Sequence, residues 1–451
     1  MAAESRFFAE RAWVAGGWAA NVLLVAGADG RWSEVRTGAD AAGARKLAGP
    51  VLPGLVDAHS HAFQRAIAGL TERAAEGKDD FWSWRERMYG AALRITPQQA
   101  EAIAAHLYAE LLASGYTQVC EFHYLHNDID GRPYADPASM AQALARAAQR
   151  VGIGLTLLPT LYMRSGFGAQ GLRDDQRRFA STPASVLAIA DALREGGPLV
   201  TSGVALHSLR AVDAAALTAV ATAARGPIHI HISEQRQEVD DCVALHGKRP
   251  IEWLLANAPV GERWNLVHAT HASRDELAAL RQSGASIVLC PSTEANLGDG
   301  VFDLPAWLGA SGRWSIGSDS HVTRSWMEEL RLLEYSQRFA LRERNVAARA
   351  ALRESTAAAL FEGALEGGSA AAGVPLAGLA VGQRADFMVV EAPLGVPPQN
   401  VLDALVFSSP AALPREVYVA GRKTGPVETR EGFASAMGEL WGEPGSWRPG
   451  W

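Results

Sequence analysis

Cysteine is scarce in this 451-residue chain: Cys120, Cys242 and Cys290 stand far apart, are odd in number and form no CxxC pair. That argues against a disulfide framework, leaves each as a plain core or surface thiol, and points to a reducing compartment. A basic excess is lacking as well, and a formal net charge of -7 leaves no footprint for nucleic acid or an anionic membrane surface. No stretch reaches the ~18 uninterrupted apolar residues expected of a membrane span. Met1 to Arg6 carries an early Glu4 and no apolar segment of a secretory signal. The expectation is a cytoplasmic protein. There is no internal repeat, and the one compositional bias is Ala-rich stretches, where alanine serves as a good helix former.

What is present is a long alternation of apolar runs and amphipathic segments. Strand candidates fall at 51–59, 116–124, 152–161, 201–207, 227–233, 264–269, 285–290 and 314–319, with helical stretches such as Thr96 to Ser114, Pro137 to Val151 and Asp213 to Ala224 between them. Eight strands alternating with helices predict a parallel α/β fold, and eight is the number that closes a barrel. Short strands with Gly turns occupy residues 1–50, and the same texture returns after 366 at Asp386 to Val390 and Glu416 to Gly421. The expected architecture is a (β/α)8 TIM-type barrel over 51–365. Residues 1–50 and 366–451 would form one small, discontinuous β-sandwich domain with a C-terminal helical tail.

In such barrels the chemistry gathers at the C-terminal strand ends. Polar residues stand there in this chain: His61, Tyr124, Tyr162, His207, His231, His268 and Asp319. A strand sends alternate side chains to one face, so His59 and His61 present both imidazoles to one point. Two converging imidazoles are half of a zinc site. His231 and Asp319 complete a four-ligand set, expected to hold one divalent metal whose bound water ionises near neutral pH. Glu234 lies three residues past His231, where the strand must bend into its loop, and so suits a proton shuttle above the metal. Asp319 could take a proton from the attacking water, and His268 could polarise the atom that develops charge. His229 shares the face of His231 and could replace it, although only His231 is followed by a glutamate three residues on. His106, His126, His246, His271 and His321 read as surface, capping or supporting groups.

The run Val51 to His61, with His231-Ile232-Ser233-Glu234 and the late Gly382-Gln383-Arg384-Ala385-Asp386-Phe387, resembles the amidohydrolase superfamily over nearly the whole chain. Many members hold two metals bridged by a modified lysine on strand 3 or 4. Here Leu161-Tyr162-Met163 and Leu206 to Arg210 stand at those ends without a lysine, which implies a mononuclear site as in the deaminase branch. Zinc and iron(II) both suit three imidazoles and a carboxylate. Zinc is the expected metal, and a homodimer the expected assembly.

The rim resembles the formimidoylglutamate deiminases of histidine degradation. The matching segments are His61 to Arg65, Phe81 to Arg87 (taken as loop), Glu121 to Tyr124, His207 to Arg210, Leu289 to Gly300 and Gly317 to His321. The resemblance implies that Gln64, Arg85, Tyr124, His207 and Arg210 contact a dicarboxylate amidine, N-formimidoyl-L-glutamate, and that ammonia is released. The chemistry is compatible: the Arg85 and Arg210 forks suit one carboxylate each, and Gln64 and Tyr124 add neutral hydrogen bonds. Strand parity does not choose between His123 and Tyr124, and Arg85 beside Glu86 and Arg87 could belong to a solvated helix. Two other readings stand: a deaminase of an aminated purine or similar ring, which would want a flatter and less cationic pocket, and a non-catalytic scaffold, which should have lost ligands.

Overall fold

The computed structural model describes residues 4–41, 43–73, 79–169, 171–408 and 412–442. Eight parallel strands form its centre: β1 (Leu55–Ser60), β2 (Tyr116–His123), β3 (Gly154–Leu161), β4 (Val204–Ser208), β5 (Ile228–Ile232), β6 (Trp264–His268), β7 (Ser286–Leu289) and β8 (Trp314–Ile316). Each pairs with the next in chain order. Every residue of β1, β2 and β3 is buried, as expected of a parallel sheet covered by helices on its outside. The ring closes through a parallel bridge between Ser60 and Asp319, where the Asp319 N–H donates to His59 O at 2.9 Å and the His61 N–H to Asp319 O at 3.3 Å. Gly317 is required at this seam, because a Cβ there would lie 2.6 Å from the His59 Cβ.

The expected first strand divides in two. Val51–Pro53 leaves the barrel and pairs antiparallel with Phe387–Val389, and the barrel strand begins at Leu55, after Gly54. The expected fourth strand also divides: Val200–Ser202 pairs with β3, and Val204–Ser208 enters the ring. Ser5–Val14, Gly17–Ala26, Trp32–Arg36 and Val51–Pro53 join Phe387–Val389 and Glu416–Val419 in one sheet built from both chain ends. Its own core centres on Phe7, Phe387 and Tyr418, the last two stacked at 4.1 Å. The Thr356–Ala372 helix packs on β1 and β8, so chain packed on the barrel continues beyond residue 365.

Capping explains where the helices start. Pro97–Ala113 begins after Thr96, whose hydroxyl accepts the Gln99 N–H while Gln99 returns to the Thr96 N–H. The segment Phe81 to Arg87, expected as loop, opens a helix, Phe81–Ala92. Asp80 accepts from the N–H groups of Trp82 and Ser83, and Ser83 Oγ accepts the Asp80 N–H at 3.0 Å. That box is legible as Asp-x-x-Ser before an aromatic run. The C-terminal helix Arg430–Trp441 docks beside the segment after β1, with Trp441 Nε1 donating to Ala66 O at 3.1 Å. Residues 443–451 of the expected tail lie outside the described residues. Among the described residues no helix is long and apolar enough to cross a membrane, and all three cysteines are free and buried.

Candidate active site

The barrel closure brings His59, His61, His231 and Asp319 together. His59 Nε2 and His231 Nε2 stand 3.0 Å apart, and Asp319 Oδ1 lies 3.4 Å from His61 Nε2 and 3.6 Å from His59 Nε2. Ligands at about 2.0–2.1 Å in a tetrahedral shell stand about 3.3 Å from one another, so this spacing fits one transition-metal ion. The protonation states fit too. Burial first, and neighbouring imidazoles next, hold His59 and His231 well below the usual histidine range; burial takes His61 down to about 3. Neutral imidazoles have lone pairs to offer. The His61 Nδ1–H donates to Phe122 O at 2.8 Å, which fixes the tautomer with Nε2 free. His231 stacks on Phe122 at 4.3 Å.

The backbone around the cluster is strained. Ser233, His268, Ala269, Asp319 and His321 all have positive φ, between 48° and 70°, although none is glycine. Such residues concentrate where side-chain direction matters more than local stability. The turn at Ser233 directs Glu234 back over the ring of histidines, where its Oε1 lies 3.8 Å from His268 Nε2. His268 Nε2 is also 3.9 Å from Asp319 Oδ2, and its Nδ1 donates to Glu294 Oε1 at 3.2 Å. Burial alone would lower the His268 pKa, but Glu234, Glu294 and Asp319 outweigh it and push it up to about 10. His268 is therefore a donor. Asp319 is also raised from its ordinary value, by burial, to about 7, with His268 opposing.

The remaining candidates line the same cavity as His61, His231, Glu234, His268 and Asp319. Gln64, on the 3-10 turn Ala62–Ala66, donates to Tyr124 Oη at 3.2 Å, and its own Oε1 is buried without a partner among the described residues. Tyr124 thus faces the cavity, whereas His123 packs against the His126 ring. His207 packs on Tyr162 at 4.2 Å and is held neutral by burial first and then by Arg210. The Arg85 and Arg210 guanidinium groups both pack on Trp82, 4.5 and 5.5 Å from its ring centre, and the Nε of each is buried and unpartnered among the described residues. The cavity therefore has a carboxylate-rich, ligand-bearing end and a dicationic end.

His229 points elsewhere, its Nε2 hydrogen-bonded to Ala371 O at 2.9 Å. His321 is buried behind the cluster, between Ser318 Oγ and His61 O. Three buried carboxylates that brace the ligands carried no role in the sequence reading. Asp57 accepts from Ser318 N and Oγ next to Asp319, Glu121 accepts from Ser60 Oγ and Ala62 N on either side of His61, and Glu294 holds His268. Asp57 and Glu121 lie on strand residues adjoining the histidine runs, the one signal that could have found them. Trp82 and Tyr89 were also overlooked; their spacing of three and four residues from Arg85 puts all three on one helix face.

A parallel eight-stranded barrel with three imidazoles and an aspartate at its C-terminal rim defines a metal-dependent hydrolase of the amidohydrolase type. The sequence profile described as "Amidohydrolase family" matches residues 51–424, and the chain belongs to that family. It is similar to a formimidoylglutamate deiminase of Pseudomonas aeruginosa, 47% identical over 97% of this chain and 99% of that protein. A crystal structure of an amidohydrolase from Brucella melitensis superposes with a TM-score of 0.90 at 42% identity, covering 97% of this chain and 99% of that one. A 5-methylthioadenosine/S-adenosylhomocysteine deaminase of Haloquadratum walsbyi is 26% identical over 80% of this chain and 75% of its own length.

Proposed function

We propose that the chain hydrolyses N-formimidoyl-L-glutamate to N-formyl-L-glutamate and ammonia. The observation that carries this reading is the polarity of the cavity, with Glu234, Asp319 and the histidines at one end and, at the other, Arg85 and Arg210, the Nε of each buried without a partner among the described residues. The substrate has the matching polarity, an amidinium at one end and two carboxylates at the other. The similarity to the Pseudomonas aeruginosa deiminase supports the same reaction. A purine substrate would bring no carboxylate to the Arg85 and Arg210 forks, whose Nε atoms are buried without a partner among the described residues. A scaffold has no use for strained ligand positions.

One divalent metal, assigned as zinc with iron(II) as the other cation this donor set accepts, would be held by His59, His61, His231 and Asp319. When bound, it supplies a water acid enough to serve as nucleophile near neutral pH and a positive charge beside the reacting carbon. The chain's own residues do the rest. Arg85 and Arg210 hold the carboxylates by charge-assisted forks, while Gln64 and Tyr124 fix the amidine along the cavity. Glu234 moves a proton to the departing nitrogen, and ammonia leaves because that nitrogen is the unsubstituted one. His268, kept protonated by its carboxylate neighbours, donates to the oxygen that becomes the formyl group.

Ammonia release from formimidoyl amino acids and aminated bases tests the assignment. N-formimidoyl-L-glutamate should be the preferred substrate, and a preference for an aminated ring would overturn it. Elemental analysis should return one tightly bound metal per chain; two would overturn the mononuclear site.

A further inference from the structure

The dicationic end of the cavity contains a polar cluster that neither the arginine pair nor the metal end uses. Tyr89, on the Phe81–Ala92 helix, and Tyr162, just past β3, are 3% and 4% exposed, and both line the cavity. Their hydroxyls lie 3.3 Å apart. The Gln176 side-chain nitrogen sits 3.2 Å from Tyr89 Oη and 3.1 Å from Tyr162 Oη. Gln176 is fully buried, and its amide cannot be turned over: Oε1 accepts the Arg173 N–H at 3.1 Å, so the NH2 group must face the phenols.

Counting protons decides what is left. Gln176 donates one hydrogen to each phenolic oxygen, so neither phenol can donate to it. The phenols own two hydrogens between them, and one closes the contact between the two oxygens. The other has no acceptor among the described residues. Its surroundings are cationic: the Arg85 guanidinium carbon is 5.5 Å from the Tyr89 ring centre. Burial first, and Tyr89 beside it, raise the Tyr162 hydroxyl well above its ordinary value, so the proton stays on oxygen.

We propose that the Tyr89–Tyr162 pair, oriented by Gln176, donates a third and neutral hydrogen bond to a substrate carboxylate held by Arg85 and Arg210. The proposal deepens the formimidoyl amino acid reading and rests on it. A hydroxyl adds direction at less desolvation cost than a third cation would. It also selects against uncharged substrates, which would leave a buried donor unsatisfied.

Conservative variants test this. In Tyr89→Phe or Tyr162→Phe the surviving phenol regains its own proton, so each should raise KM for N-formimidoyl-L-glutamate only about twofold to fivefold. The double variant loses both donors and should raise KM roughly tenfold to a hundredfold, more than the product of the singles, with kcat within about threefold. N-formimidoyl-L-alanine and N-formimidoyl-4-aminobutyrate each lack one carboxylate, and one of them should be nearly indifferent to the double variant. Gln176→Leu should shift the same selectivity by a smaller factor. Equal losses on all three substrates, or multiplicative singles, would overturn the proposal. Titration of metal-loaded protein with glutarate gives a readout independent of turnover, and binding should weaken by the same factor in the double variant. If the wild type hydrolyses no formimidoyl compound, the functional reading fails, and the glutarate comparison still decides whether the pair is a carboxylate site.

Discussion

At one end of the cavity, His59, His231 and His268 stand on strands whose neighbours fix them on both sides, and Asp319 bridges back to β1. At the other end, Arg85, Trp82 and Tyr89 ride on a single helix, and Gln64 on one 3-10 turn. The first end is part of the closure of the barrel, and its atoms cannot move without opening the ladder. The second is mounted on connecting segments that can change without disturbing the ring. Chemistry common to many substrates therefore sits on the strands, and recognition of one substrate sits on the connections.

That contrast breaks most sharply at His61. Replacing it with Ala removes one of four ligands and should abolish both metal content and ammonia release, by elemental analysis and assay. A metal-replete, active His61→Ala protein would mean the ligand set lies elsewhere. Glu234→Gln should act at the same end without touching the ligands: metal content normal, kcat lower by about 10²–10⁴. Near-normal turnover would remove Glu234 from proton transfer.

At the other end the signature should be selectivity. Losing one partner of a buried charged pair costs about 3–5 kcal/mol, so Arg210→Met should lower kcat/KM for N-formimidoyl-L-glutamate roughly 10²–10³ or more. A formimidoyl compound lacking the paired carboxylate should be far less affected. N-formimidoyl-L-aspartate, one methylene shorter, should also react more slowly. Equal losses on all substrates would show that Arg210 supports the metal end instead.

The two ends also differed in how far the sequence disclosed them. His-x-His, His-x-x-Glu and the late aspartate are visible because a strand end is a fixed address: the period of two and the apolar run before it say which way a side chain points. Arg85, Arg210 and Gln64 lie past those ends, where no period applies, and only likeness to a family marked them. The same limit hid Tyr162 as more than a rim residue and Gln176 altogether, since a glutamine in a 3-10 turn carries no signal of what it will orient. Val51–Pro53 was assigned to the barrel for a related reason. An apolar run announces a strand but not its sheet, and the break at Pro53-Gly54 was the cue that the chain changes partner there.

The smallest expected effect tests whether the recognition end is as separable as this contrast requires. Asp80 caps the Phe81–Ala92 helix, and its carboxylate accepts two of the backbone N–H groups that open the first turn. Replacing an N-cap of this kind by Ala costs about 0.5–2 kcal/mol of helix stability. Trp82, Arg85 and Tyr89 all sit on that helix, and none of His59, His61, His231 or Asp319 does. Asp80→Ala should therefore loosen substrate binding alone, raising KM by about threefold to tenfold, with metal content and kcat close to wild type. Asp80→Asn keeps an equally good cap without the charge and should restore most of the loss. If Asp80→Ala instead lowers kcat and metal content together, the helix braces the ligand cluster as well, and the two ends are not independent.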